Sequence, residues 1–390
     1  MMSEAEARLS KVIELLAQLV AFDTESQKTN LPLIDFVEAY LTTLQVPFSR
    51  IPNAAGDKAA LFATIGPMQD GGIILSGHTD VVPVAGQIWT SDPFQLRQEA
   101  GRLYARGACD MKGFDALCLA MIPEFQKAHL RRPIHLLLSY DEETTCLGPV
   151  DTIAQFGTQL PRPALAIVGE PTLMQVADAH KSVAAFTTIV SGHEAHSSKP
   201  KLGANAIEAA CALVTELYRL ADELDGQADP SSRFDPPSST LSVGTIEGGT
   251  ARNILARQCR FLWEFRGLPS VSADFALRHI EAYAQSHVLP RLRRYAPEAS
   301  IVTRLEVEVP GLVPDPGSIA ETLGFKLTRS NRALAVSYAT EAGRFQQAGL
   351  PTIVCGPGSI DQAHQPDEYI DIAQLEAGIG FMRRLIAEVS

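Results

Sequence analysis

Three stretches of this sequence place histidine or acids directly after an aliphatic run. Ile73-Ile74-Leu75-Ser76-Gly77 leads into His78-Thr79-Asp80, and Ile134-His135-Leu136-Leu137-Leu138 leads through Ser139-Tyr140 into Asp141-Glu142-Glu143. Ala166-Ile167-Val168-Gly169 leads into Glu170-Pro171. Each run has the content of a buried strand. If the strands are parallel, their carboxyl ends share one sheet edge, where ligand sites of open α/β folds collect. Asp110, in Gly107-Ala108-Cys109-Asp110 just before a helix, can join that edge, as can His364 in the loop after Pro351–Cys355. Carboxylates gathered so closely repel one another unless a cation lies between them. Two imidazoles and three carboxylates form an N/O donor set suited to Zn2+ or its neighbours Co2+ and Mn2+, and the set holds no thiolate.

The local order of these residues has consequences of its own. On extended backbone His78 and Asp80 point the same way, so Asp80 can accept a hydrogen bond from the second ring nitrogen of His78 and fix its tautomer. In LSYDEETT (138–145) adjacent side chains of an extended strand end point to opposite sides. Neighbouring acids there can therefore serve different tasks.

A scaffold must bring these residues together. The first half alternates aliphatic runs (Ala60–Ile65, Gly72–Ser76, Ile134–Tyr140, Leu165–Val168) with amphipathic segments such as Phe114–Lys127. Pro351–Cys355 adds a strand and Ile372–Val389 a closing helix, so an α/β sheet with helices on its faces is expected. The middle of the chain reads strand, helix, strand, strand, helix, strand: Val183–Ser191, Ala204–Leu224, Leu241–Ile246, Gln258–Arg266, Ser272–Ser286 and a strand near Ile301–Val309. That order is a compact α+β, ferredoxin-like unit. The expected division is residues 1–182 with 310–390 as the metal-binding catalytic domain and 183–309 as the insertion.

Composition excludes several functions. The 390 residues carry 33 basic and 45 acidic side chains, a net charge of −12, which argues against nucleic-acid or anionic-membrane partners. No apolar stretch approaches the roughly 20 residues of a membrane span. The N-terminus reads as an amphipathic helix (Leu9, Val12, Ile13, Leu16, Leu19, Val20) and not as a signal peptide. Six scattered cysteines without a C-x-x-C pair fit reduced thiols in a cytosol. No G-x-G-x-x-G follows a strand and no G-x-x-x-x-G-K-[ST] loop occurs, so nucleotide binding is not indicated.

The motifs also carry a resemblance. GHTDVVP (77–83), RGACDMKG (106–113), DEETTCLG (141–148) and GEP (169–171) resemble the metal-dependent aminoacylase and carboxypeptidase-like family with two zinc ions in one site. GHEAHSSKPKLGANAIEAA (192–210) and GPGSIDQAHQPDEY (356–369) extend the likeness over nearly the whole chain and point to its N-acetyl amino acid deacetylase members. The resemblance implies a zinc-exopeptidase-like catalytic domain with a mixed, largely parallel sheet, and an inserted lid or dimerisation domain. It implies two divalent ions, zinc or alternatively cobalt, bridged by Asp110, with His78 and Glu170 on one and Glu143 and His364 on the other. Glu142 would be the general base, Asp80 the orienter of His78, and the Asp110–Met111 peptide cis. His196 would stabilise an oxyanion in its own or a partner subunit's site. Asn253 and Arg266 would bind the substrate's carboxylate or nearby groups. Many members carry a proline shortly after that asparagine, where this chain has Ile254-Leu255-Ala256.

The implied reaction is hydrolysis of the N-acetyl group of an N2-acetyl amino acid in a cytoplasmic homodimer. N2-acetyl-L-ornithine, within arginine biosynthesis, is the leading substrate. The alternatives are desuccinylation of succinyl-diaminopimelate or deacylation of another N-acyl amino acid such as acetylcitrulline. A non-catalytic relative would lack Glu142 or a metal ligand, and each of these positions is filled.

Overall fold

Continuous apolar strands need cover on both faces. In the computed structural model, which describes residues 3–390, Ala59–Ile65, Ile73–His78, Ile134–Ser139, Leu165–Pro171 and Thr352–Gly356 are buried along their whole length. They form the middle of an eight-stranded sheet. Its order is Phe48–Pro52, Ala59–Ile65, Ile134–Ser139, Ile73–His78, Leu165–Pro171, Thr352–Gly356, Ala177–His180, Leu334–Val336. The four strands from Ile134–Ser139 to Thr352–Gly356 are mutually parallel, and antiparallel pairs flank them. The fold is therefore a mixed, largely parallel sheet with helices on its faces.

Helix Lys112–Lys127 buries Phe114, Leu117, Met121, Ile122 and Phe125, and helices Glu4–Val20 and Ile372–Val389 pack against it. Ser3 and Glu6 close a capping box at the start of the first of these. Its buried stripe is Val12, Leu15, Leu16, Leu19 and Val20, with Leu9 and Ile13 half-covered at its edge.

Contact density separates two units. Residues 3–179, 314–334 and 340–390 hold all of the eight-stranded sheet but His180, Ala335 and Val336; His180–Val313 with Ala335–Ala339 form the second unit. The second unit is a four-stranded antiparallel sheet in the order Thr240–Gly248, Gln258–Gly267, Ser182–Ser191, Ser300–Val309. Along Gln258–Gly267 buried and more exposed residues alternate, as they do when only one face is covered. Helices Ala206–Gly226 and Ala273–Tyr283 share a core with Phe186, Phe261, Trp263 and Phe265. Phe186 and Trp263 stack at 4.1 Å between centroids. This is the α+β arrangement anticipated from the strand and helix order.

Several elements carried no clear periodic signal: helices Leu31–Thr43 and Ile319–Thr328, and a small sheet of Arg97–Glu99, Arg102–Tyr104 and Tyr369–Asp371. The Ile73 strand runs on to His78, past the expected end at Ser76.

Candidate metal centre

Two glycines explain how the site is assembled. Gly77 precedes His78 and Gly169 precedes Glu170. A Cβ on Gly77 would lie 2.1 Å from Asp115 Oδ1, and one on Gly169 would lie 2.2 Å from the Phe114 ring. Both contacts are with the first turns of helix Lys112–Lys127, so glycine at these positions lets that helix approach both strand ends. The loop before the helix then delivers Asp110. The Asp110–Met111 peptide is cis.

His78, Asp110 and Glu170 place one donor atom each within 4.8 Å of one another, and so do Asp110, Glu143 and His364. Asp110 is common to both groups. His78 Nε2 lies 3.1 Å from Asp110 Oδ1 and 3.6 Å from Glu170 Oε1. His364 Nε2 lies 3.0 Å from Glu143 Oε2 and 3.5 Å from Asp110 Oδ2. Glu142 Oε2 stands 3.9 Å from His78 Nε2, with the thiol of Cys146 donating to its Oε1 at 3.3 Å.

Asp80 does more than orient one ring. His78 Nδ1 donates to the backbone carbonyl of Asp80 at 2.9 Å, and the Asp80 carboxylate is farther, at 3.5 Å. That carboxylate accepts from Ser26 Oγ at 2.7 Å and from the N–H groups of Glu142 and Glu143 at 3.2 and 3.3 Å. It therefore ties the His78 strand to the acidic segment.

The acidic segment itself differs from an extended strand end. The strand stops at Ser139, Asp141 takes φ +57°, and the N–H groups of Thr145 and Cys146 return to the Asp141 carbonyl at 2.9 and 2.8 Å. Asp141 is ion-paired with Lys58. A closed turn, not strand pleating, sends Glu142 toward His78 and Glu143 toward His364. Lys58 holds Asp141, and the Asp80 carboxylate holds the two N–H groups that follow Asp141.

Electrostatics follow from four carboxylates whose side chains are largely buried and set close together. Burial pushes Glu142 and Glu170 well above the usual carboxylate range, with neighbouring acids adding to it. Glu143 is pushed up to about 7 by burial and by Asp110. Burial opposes a charged Asp110 as well, but hydrogen bonds from His364 and His78 outweigh it and hold that carboxyl low. His364 is raised to about 10 by Asp110 and Glu143. Each of these carboxyl shifts follows from burial, which disfavours a charged carboxylate, set against the nearby histidines, which favour it.

This donor set fits divalent cations. Glu170 Oε1 is buried without a hydrogen-bond partner, an acceptor that a cation would satisfy. With Nδ1 of His78 committed to a carbonyl, Nε2 is the nitrogen that faces the acids.

Three anticipated residues lie in the second unit. His196 is exposed, with Nδ1 2.8 Å from Ser198 Oγ. Asn253 is its neighbour: Ser197 N donates to Asn253 O at 2.9 Å and Leu255 N to Ala195 O at 2.8 Å. Arg266 is elsewhere, at the far end of strand Gln258–Gly267, where it pairs with Glu264 at 3.1 Å. His180 is fully buried, with Nδ1 2.9 Å from the Lys181 carbonyl and Nε2 without a hydrogen-bond partner. Residues that sequence reasoning passed over include Cys146 beside Glu142, and Gln87, Arg106 and Glu368 around the Asp110 loop.

Residues 74–388 match the family described as peptidase family M20/M25/M40. Acetylornithine deacetylase of Proteus mirabilis (strain HI4320) is 35% identical over 388 residues, covering 97% of each chain. Among solved structures, aminopeptidase PepT from Bacillus cereus superposes with a TM-score of 0.74 at 18% identity, over 98% of both chains. The Bacillus subtilis YXEP protein, a dinuclear metal-binding peptidase of the M20 family, gives 0.67 at 13% identity, again over 98% of both.

Proposed function

The chain belongs to peptidase family M20/M25/M40, and from its site we propose that it removes the acetyl group from N2-acetyl-L-ornithine, yielding L-ornithine and acetate. The observation that carries the reaction type is Asp110 shared between two donor groups, with the Glu142 carboxylate beside them and in neither. The choice of substrate is supported by the 35% identity, across 97% of the chain, to a protein named for that deacetylation.

His78, Asp110 and Glu170 would hold one divalent ion, and Asp110, Glu143 and His364 the other, zinc being favoured by the N/O set and cobalt its alternative. When bound, such ions lower the pKa of water and polarise an acyl carbonyl. The protein's own groups do the rest. Glu142, whose affinity for protons is raised by burial, takes a proton from the attacking water. The water oxygen bonds to the acyl carbon, the C–N bond breaks, and Glu142 returns the proton to the leaving amine. His196 donates to the developing oxyanion, a contribution of roughly 3–4 kcal/mol for a well-placed donor.

The second unit supports a homodimer. His196 and Asn253 sit on touching loops, whereas eight residues of strand between positions 258 and 266 put Arg266 about 26 Å from that end. An acetylated amino acid is too short to reach both. In the reading proposed here, His196 and Asn253 of one protomer complete the partner's site and Arg266 belongs to a different one. The setting is cytoplasmic arginine biosynthesis; no helix among the described residues is long and apolar enough to cross a membrane.

Metal-loaded protein should release acetate from N2-acetyl-L-ornithine faster than from N2-acetylcitrulline, and much faster than it releases succinate from succinyl-diaminopimelate. Faster desuccinylation would overturn the substrate. For the dimer, His196→Ala and Glu142→Gln proteins, each inactive alone, should regain part of the activity when their subunits are exchanged. No recovery would place His196 in its own chain's site.

A further inference from the structure

The loop bearing His364 is tied to the loop bearing Asp110 by buried Arg106 and Glu368 and by half-buried Gln87, none of them a member of the two donor groups. Glu368, four residues after His364, is 1% exposed. Its Oε1 accepts from Cys109 N at 2.9 Å and Asp110 N at 3.1 Å. Its Oε2 accepts from Gly107 N at 3.1 Å and Arg106 Nη1 at 2.8 Å. Arg106 is equally buried and uses Nη2 to reach Gln87 Oε1 at 2.5 Å. Gln87 Nε2 then donates to the His364 carbonyl at 2.8 Å.

The same segment makes a second clamp. Thr90 donates through N and Oγ1 to Asp367 Oδ1 at 3.0 and 2.9 Å. Trp89 lies under the Arg106 guanidinium, 5.0 Å from ring centre to carbon, and its Nε1 donates to Gln87 Oε1 at 3.1 Å. His364 and Asp367 both have positive φ, +62° and +55°. Non-glycine residues hold such backbone only where surrounding contacts impose it. Gln87 to Thr90 supply those contacts.

We propose that Gln87, Arg106 and Glu368 are positioning residues that set the geometry of the Asp110–Glu143–His364 half of the centre, with Gln87 acting on His364 directly and on Asp110 only through Arg106 and Glu368. The inference rests on the metal-centre reading above and goes beyond it by assigning roles to groups that touch no ligand atom. Gln87 contacts His364's backbone but neither His78 nor Glu170, which are held by their strands. Glu368 holds the backbone of Asp110, common to both halves, so its loss reaches both. Outer groups that orient ligands typically change metal affinity about 10–100-fold when removed.

The test titrates metal-free protein with Zn2+ by calorimetry, alongside melting of the metal-free form. His364→Ala identifies the equivalent of metal that belongs to its half. Gln87→Ala should weaken that equivalent about tenfold, weaken the other markedly less, and melt like the wild type. Gln87→Glu keeps an acceptor for Arg106 but loses the donor to His364, and should behave like Gln87→Ala. Unchanged affinity in Gln87→Ala, or equal weakening of both equivalents, would overturn the proposal, as would recovery in Gln87→Glu. Arg106 and Glu368 are secondary targets, because removing one leaves the other's charge buried and uncompensated. If His364→Ala loses no equivalent, the metal-centre reading itself fails, and that outcome is distinct from a silent Gln87→Ala.

Discussion

The two halves of the centre are built differently. His78 closes one buried strand and Glu170 lies near the end of the next, and the two strands pair in parallel register from Ile73 with Leu165 to Ser76 with Val168. Their side chains are 0% and 4% exposed. Glu143 and His364 instead ride on a closed turn and a loop at positive φ, and the His364 side chain is 52% exposed. A ligand at a strand end inherits the stiffness of its neighbours. A ligand on a loop must be held by hydrogen bonds recruited for it: Asp80 for the Glu143 turn and Gln87 for His364.

The largest effect is expected where the two halves meet. Asp110→Ala removes a donor from both groups at once. The variant should purify with neither metal equivalent and with turnover at background, read by elemental analysis and acetate release. Retention of one full equivalent would mean that Asp110 belongs to one half only. Next comes Glu142, which belongs to neither half. Glu142→Gln should keep both equivalents while turnover falls by roughly 10²–10⁴-fold. Loss of a metal equivalent would make Glu142 a ligand, and unchanged turnover would remove it from the chemistry.

The same contrast governs what can be read from the sequence. Strand-borne residues announce themselves: an aliphatic run followed by His78, or by Glu170, gives both the element and the place where it ends. Helix Lys112–Lys127 is equally plain, because its apolar residues recur at helical spacing. Loop geometry has no period. LSYDEETT reads as an extended end, yet the segment turns back at Asp141, and the groups that hold the turn, Lys58 on Asp141 and Asp80 on the Glu142 and Glu143 N–H groups, lie some sixty to eighty residues away. His364 is visible only through the resemblance of its loop. The Arg106–Glu368 pair spans 262 residues, and a polar contact at that separation leaves no pattern in either segment. For the same reason the neighbourhood of His196 and Asn253, and the distance of Arg266 from both, emerge only once the second sheet is assembled.

The smallest expected effect concerns the sheet that carries the strand-borne half. His135, in strand Ile134–Ser139, is fully buried, with Nδ1 3.0 Å from Thr64 Oγ1, Nε2 without a partner, and Phe62 stacked on the ring at 5.0 Å. Burial depresses its pKa to about 4, from 6.5 for an ordinary histidine. The unfolded chain therefore binds a proton in a range where the folded protein does not. This contribution to stability is whole above pH 6.5, falls as pH drops toward 4, and is constant below. The slope is at most about 1.4 kcal/mol per pH unit. Denaturant titrations of metal-free protein at pH 7 and pH 4.5 should show His135→Gln losing less stability on acidification than wild type. An equal loss would mean that His135 is already protonated in the folded sheet. Because the group acts through the strands, a melt that follows His135 would report on the sheet beneath His78 and Glu170, and would leave the hydrogen-bonded loop of His364 as the part of the centre whose geometry can fail on its own.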